Sequence, residues 1–187
     1  MWLPSPNMIA LVFLAFEATI SLTRRPLGDA KKDDHGTFQL IWIVITLSIV
    51  AGITVGRMFP EARLPAADAL YPVGLAVFVL GMALRAWSIR TLGRFFTVEV
   101  AIAGDHRIID TGPYRLLRHP SYTGSLLMFL GYLTCFGNLW TMLIVFVPVL
   151  VVLVRRIVIE EAALAGNFGD AWRAYCQRTW RLVPLVF

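Results

Sequence analysis

Apolar positions along this chain come in long runs separated by short polar stretches, without the two-residue alternation of a half-buried strand. A bilayer core takes about 20 apolar residues to cross as a helix. Five runs come near that length, over residues 8–22, 38–55, 69–89, 121–136 and 139–159. The pattern predicts an all-α, polytopic membrane protein with five transmembrane helices. Gly137 and Asn138 allow only a tight turn between the last two runs, which should pair as an antiparallel hairpin. Pro148 removes a backbone hydrogen bond inside the fifth run and should bend it. The first run has no basic lead-in and no small-residue cleavage site, so it reads as a retained span.

Composition points the same way. The 187 residues are 58% hydrophobic and 16% charged, well toward the apolar side of a soluble domain. A net charge of +5 raises the question of nucleic acid, but the basic residues sit between apolar runs, where they set orientation. Arg57 and Arg63 fall on one side and Arg85 lies within a span. The other fourteen Lys and Arg fall on the opposite side, which places the N-terminus outside and the C-terminus in the cytoplasm. Cys135 and Cys176 then lie on opposite faces, and the three histidines are scattered, so neither a disulfide nor a metal is expected. The chain reads as one integral membrane domain over 1–187, with two N-terminal spans in 1–68 and a core in 69–187. Its compactness suggests a prokaryotic cell membrane, with lipids as neighbours.

Polar residues concentrate in the two segments 90–120 and 160–187. Pro120 suits the first turn of a helix, where its missing N–H would have no partner. The amides of Ser121, Tyr122 and Thr123 would then face the cytoplasmic side with the positive end of the helix dipole. With Arg118 and His119 beside them they make an anion site. An ordinary membrane-entry boundary explains the same residues equally well. Arg156 and Glu160, four apart, share a helix face, and the hairpin returns Glu160 to the neighbourhood of His119. An acid beside a basic, amide-rich corner suits a zwitterion, with its amine on Glu160 and its carboxylate on the basic side. Glu17 and Arg85 each lie about one turn inside the cytoplasmic boundary and are candidates for a buried ion pair. There is no Gly-x-Gly turn, Gly-x-Ser-x-Gly elbow, HExxH helix or P-loop.

These residues resemble the isoprenylcysteine carboxyl methyltransferases. The likeness rests on Gly112-Pro113-Tyr114, then Arg118-His119-Pro120-Ser121-Tyr122-x-Gly124, an apolar hairpin, Glu160-Glu161, Phe168-Gly169 and a Leu182-Val183-Pro184 ending. It spans about half the chain, and neither of the first two spans carries a motif. The resemblance implies S-adenosylmethionine near the cytoplasmic face, in a pocket closed by the cytoplasmic loop and the C-terminal segment. It assigns the cofactor shell to His106, Arg107, Ile108, Ile109, Tyr114, His119, Pro120, Ser121, Tyr122 and Glu160. Eukaryotic members carry glutamine at about the place of Glu99. Arg156 falls where the family has a substrate-binding arginine that orients the acceptor for catalysis.

The implied reaction is methyl transfer to a lipophilic acceptor, a carboxylate of the isoprenylcysteine kind, entering from the bilayer. A carboxylate is already ionised and needs no base. Related membrane methyltransferases act on phospholipid amines or thiols. The RHPxYxG motif and the Trp172-x-x-Tyr175-Cys176 ending also resemble NADPH-dependent sterol-type reductases, and a non-catalytic scaffold is a further alternative.

Overall fold

A computed structural model describes residues 3–24, 31–32, 36–98, 101–102 and 107–185. Helices stand at all five expected places: α1 (Pro6–Thr23), α2 (Thr37–Met58), α3 (Ala67–Leu92), α4 (Pro120–Phe136) and α5 (Leu139–Phe168). A short α6 (Asp170–Gln177) follows, and two-residue strands β1 (Lys31–Lys32) and β2 (Ala101–Ile102) pair antiparallel. Four helices, α1, α2, α3 and α5, are long and apolar enough to cross a membrane. At 17 residues, α4 reaches only about 25 Å, short of a full bilayer core on its own. The result is an all-α, multi-pass membrane protein.

The end of α5 lies well beyond the expected one. α5 continues through Glu160 and Glu161 to Phe168, because Ala and Leu sustain the helix until Gly169, whose φ of 52° ends it. Pro148 lies inside α5 without ending it. Apolar side chains such as Leu11, Leu47, Leu80 and Val151 point outward, while Glu17, Arg85 and Arg156 are buried. That inversion fits helices whose outer solvent is lipid.

Small residues set the helix pairs. A methyl group on Gly81 would lie 2.7 Å from the Gly124 carbonyl, and Gly74 and Gly131 face each other one heptad further along. α3 and α4 therefore run antiparallel in backbone contact, the close approach that lipid-embedded helices favour. α2 meets α5 through Gly52 and Gly56 against Thr141, whose hydroxyl donates to the Gly52 carbonyl at 2.9 Å. At this end Asn138 caps α5 at Thr141 (3.1 Å), and the Leu64 amide donates to the Gly137 carbonyl at 2.9 Å. The opposite end gathers Glu17, Arg85, Ser121, Thr37 and Arg156, and there the polar residues converge.

Candidate active site

A cavity of about 1480 Å³, counting its solvent-open mouth, lies among α1, α2, α4 and α5 and the segments that cross their polar end. One part is apolar, walled by Phe13, Ile41, Ile45, Phe129 and Leu153; the other holds Tyr114, His119, Tyr122, Arg156 and Glu160. Because α1 leans on α3 and α4 while α2 leans on α5, the volume extends between these groups at membrane depth.

The polar end is assembled from α4 and α5. His119 stands just before Pro120, and its carbonyl accepts from the amides of both Tyr122 (3.0 Å) and Thr123 (3.1 Å). Two of the three amides expected to bind an anion are thus already satisfied within the first turn, as helix starts commonly arrange. The dipole end remains, but the amide-lined anion site does not form as the sequence suggested.

Arg156 and Glu160 share a face as expected, with the Tyr122 hydroxyl between them. Arg156 Nε donates to that hydroxyl at 2.7 Å, and the hydroxyl donates to Glu160 Oε2 at 2.8 Å. Arg156 also donates from Nη1 to Thr37 Oγ1 at 2.9 Å and from Nη2 to the Val98 carbonyl. It is a buried crosslink among α2, α4, α5 and the segment after α3. Glu160 Oε1 lies 4.0 Å from His119 Nδ1, so the acid and the histidine face one volume.

The expected Glu17–Arg85 pair forms with two hydrogen bonds, of 2.7 and 2.8 Å. Arg85 Nη1 reaches further, to the hydroxyl (2.8 Å) and carbonyl (3.2 Å) of Ser121. This buried pair therefore ties α1 and α3 to the first turn of α4.

Arg118 borders the cavity, yet its guanidinium is committed elsewhere. Nε donates to Glu161 at 2.9 Å, and Nη1 to the carbonyls of Cys176 (3.0 Å) and Thr179. The chain from Trp180 to Leu182 lies along residues 116–123, with the His119 amide donating to the Arg181 carbonyl at 3.1 Å and Thr123 Oγ1 to that of Leu182 at 2.8 Å. Beneath it, the Tyr175 hydroxyl donates to the Tyr114 carbonyl at 2.7 Å. Burial, then the nearby carboxylate of Glu160, holds the Tyr114 phenol well above the usual tyrosine range. Burial likewise raises Tyr175.

Of the residues picked from sequence, Arg107, Ile108, Ile109, Tyr114, His119, Ser121, Tyr122, Arg156 and Glu160 all line this cavity. Pro120 is fully buried and shapes the helix start rather than the wall. His106 and Glu99 lie outside the described residues. Sequence reasoning missed Glu161 as a hub, Thr37 as a partner of Arg156, and Glu17 and Trp172 as wall residues. The doubled acid at 160–161 was the available signal for the first; nothing in the sequence pointed to Thr37.

Residues 74–166 match the model of the isoprenylcysteine carboxyl methyltransferase (ICMT) family. Protein-S-isoprenylcysteine O-methyltransferase B of Arabidopsis thaliana is 35% identical over 115 residues, 60% of this chain and 58% of that protein. A probable protein-S-isoprenylcysteine O-methyltransferase of Oryza sativa subsp. indica is 27% identical over 146 residues, covering 77% of this chain and 75% of its own length. The Schizosaccharomyces pombe enzyme is 32% identical over 60% of this chain and 48% of its own. This chain thus matches between about half and three quarters of these relatives' lengths. All three are eukaryotic and lend no support to the prokaryotic membrane expected from sequence. The solved structure of the eukaryotic intramembrane Ras methyltransferase ICMT covers the whole of this chain and 70% of that one, at a TM-score of 0.68 and 22% identity, which establishes the shared fold. His119, Tyr122, Arg156 and Glu160, which build the polar end of the cavity, all fall within the matched stretch, and the chain belongs to the isoprenylcysteine carboxyl methyltransferase family.

Proposed function

We propose that this chain is an S-adenosylmethionine-dependent methyltransferase acting on a lipophilic carboxylate of the isoprenylcysteine type. The observation that carries the reading is the approach of Glu160 to His119 at the polar end of a cavity whose other end is apolar and lies at membrane depth. The donor set suits the cofactor: an open acid in Glu160, an adjacent histidine, and Arg107 on the loop wall. When bound, S-adenosylmethionine supplies a methyl group on a positively charged sulfur. His106, Ile108, Ile109, Tyr114, Ser121 and Tyr122 complete the proposed shell, with Pro120 shaping it from beneath.

The residues' work is then to place and to dry. Arg156 carries positive charge into the wall where a carboxylate acceptor would lie, and its hold on Tyr122 keeps Glu160 aimed. Tyr114 stays a neutral phenol and adds no charge to the wall. The acids around the cavity already accept hydrogen bonds: Glu17 from Arg85, Glu160 from Tyr122, Glu161 from two arginines. A carboxylate acceptor is already ionised, needs no base and meets a cation, Arg156, in the wall, which favours it over a phospholipid amine. The prenyl part would lie along Phe13, Ile41 and Phe129 and enter from the bilayer.

We also infer that the N-terminus lies outside and the C-terminus in the cytoplasm, from the excess of basic residues at the site's end of the helices. On this reading α4 crosses with the others, residues 1–68 add two spans, and 69–187 hold the methyltransferase core within one integral membrane unit. Purified protein given methyl-deuterated S-adenosylmethionine and an S-prenylcysteine with a free carboxyl should yield the deuterated methyl ester by mass spectrometry. Label on phospholipid amines instead, or stabilisation by NADPH alone, would replace this reading with one of its alternatives.

A further inference from the structure

The residue beside Glu160 has a separate task. We infer that Glu161 is a positioning residue: it pins His119 through the hydrogen on Nε2, so that Nδ1 turns to the cavity as a hydrogen-bond acceptor beside Glu160. The inference rests on the proposed cofactor site and assigns one of its contacts.

Consecutive residues on a helix point about 100° apart. Glu160 therefore faces the cavity while Glu161 turns toward the C-terminal segment. Glu161 Oε1 accepts from Arg118 Nε at 2.9 Å and lies 3.2 Å from His119 Nε2; Oε2 accepts from Arg181 Nε at 2.9 Å. A carboxylate held between two guanidinium groups is ionised and offers only lone pairs. The hydrogen shared with His119 consequently belongs to Nε2. In a neutral imidazole the partner of one nitrogen fixes the role of the other, so Nδ1 carries the lone pair.

His119 has little freedom to turn over. It is 4% exposed, its amide is held by the Arg181 carbonyl at 3.1 Å, and its ring lies 5.7 Å from that of Tyr122, centre to centre. Nδ1 stays 4.0 Å from Glu160 Oε1. Two acceptors thus face the same space, which suits an ammonium with several N–H donors and not a carboxylate. This moves His119 from the carboxylate-binding side, where the sequence had placed it, to the amine-binding side. The ligand's carboxylate is left to the loop wall and Arg107.

The chain has only three histidines, His35, His106 and His119, so ¹⁵N-histidine spectra of the micelle-solubilised protein at pH 8 are tractable, with His119→Gln assigning the signal. The expected wild-type ring carries its hydrogen on Nε2 and none on Nδ1. Glu161→Gln should give a mixture of tautomers and weaken S-adenosylhomocysteine binding by about 10- to 100-fold. Binding of the analogue lacking the amine should hardly change. A wild-type ring bearing hydrogen on Nδ1, or a folded Glu161→Gln with wild-type spectrum and affinity, would overturn the inference. If Glu161→Gln does not fold, the wild-type spectrum decides alone. Absence of S-adenosylhomocysteine binding to the wild type would instead count against the cofactor site, leaving the tautomer result intact.

Discussion

Arg85 grips Glu17 through two hydrogen bonds of 2.7 and 2.8 Å, joining residues 68 positions apart inside the membrane-embedded part of the fold. Breaking one side of such a pair leaves a buried, uncompensated charge and costs about 3–5 kcal/mol. Glu17→Gln and Arg85→Met should each lower thermal stability strongly. The double variant should be less destabilised than the sum by about 1–3 kcal/mol. A double-variant cycle in detergent measures this, and simple additivity would remove the pairing from the account. Some loss should persist in the double variant, because Arg85 also holds Ser121.

The Tyr122 hydroxyl links Arg156 to Glu160. Tyr122→Phe should weaken S-adenosylhomocysteine binding by about tenfold or more, the scale of a hydrogen bond to a charged group. Arg156→Ala should reduce turnover further than it reduces cofactor affinity, since it removes both this support and the charge proposed to meet the acceptor. Calorimetric titration beside a steady-state assay separates the two effects.

The seam between α3 and α4 leaves no room for side chains at Gly81 and Gly131. Gly81→Val or Gly131→Val should force the helices apart and cost several times the ±0.5 kcal/mol of a lipid-facing substitution. Leu80→Val on the outer surface serves as the control. Thermal unfolding should order the variants this way.

Tyr114 and Tyr175 are both held protonated by burial. Folding favours their neutral form, so their contribution is complete below the unfolded tyrosine pKa of about 10 and is lost as pH rises through the raised folded values. The melting temperature should therefore fall above about pH 10. Tyr175→Phe should melt lower at pH 8, having lost its bond to the Tyr114 carbonyl, yet fall less steeply on the alkaline side.

The long elements were legible because lipid demands an unbroken apolar run for each helix; the hairpin turn at Gly137-Asn138 and the pairing of Glu17 with Arg85 could be read for the same reason. Most of the cavity's polar residues were found too, since polar groups beside a membrane cluster where they have work to do. What escaped were relationships set by three-dimensional packing. Period and spacing place Arg156 and Glu160 on one face, but the hydroxyl that joins them comes from another helix. Basic residues next to His119 suggested an anion site, yet Arg118 is neutralised by Glu161, an acid 43 positions away. The amides of Tyr122 and Thr123 looked available until the first turn closed on the His119 carbonyl.

The most direct test of the account is calorimetric titration of S-adenosylhomocysteine into the wild type, His119→Ala, Glu160→Gln and the surface variant Arg173→Ala. Binding by the wild type and Arg173→Ala, with a loss of at least about tenfold in each of the other two, is the predicted result. No binding by the wild type, or equal affinity in all four proteins, would contradict it.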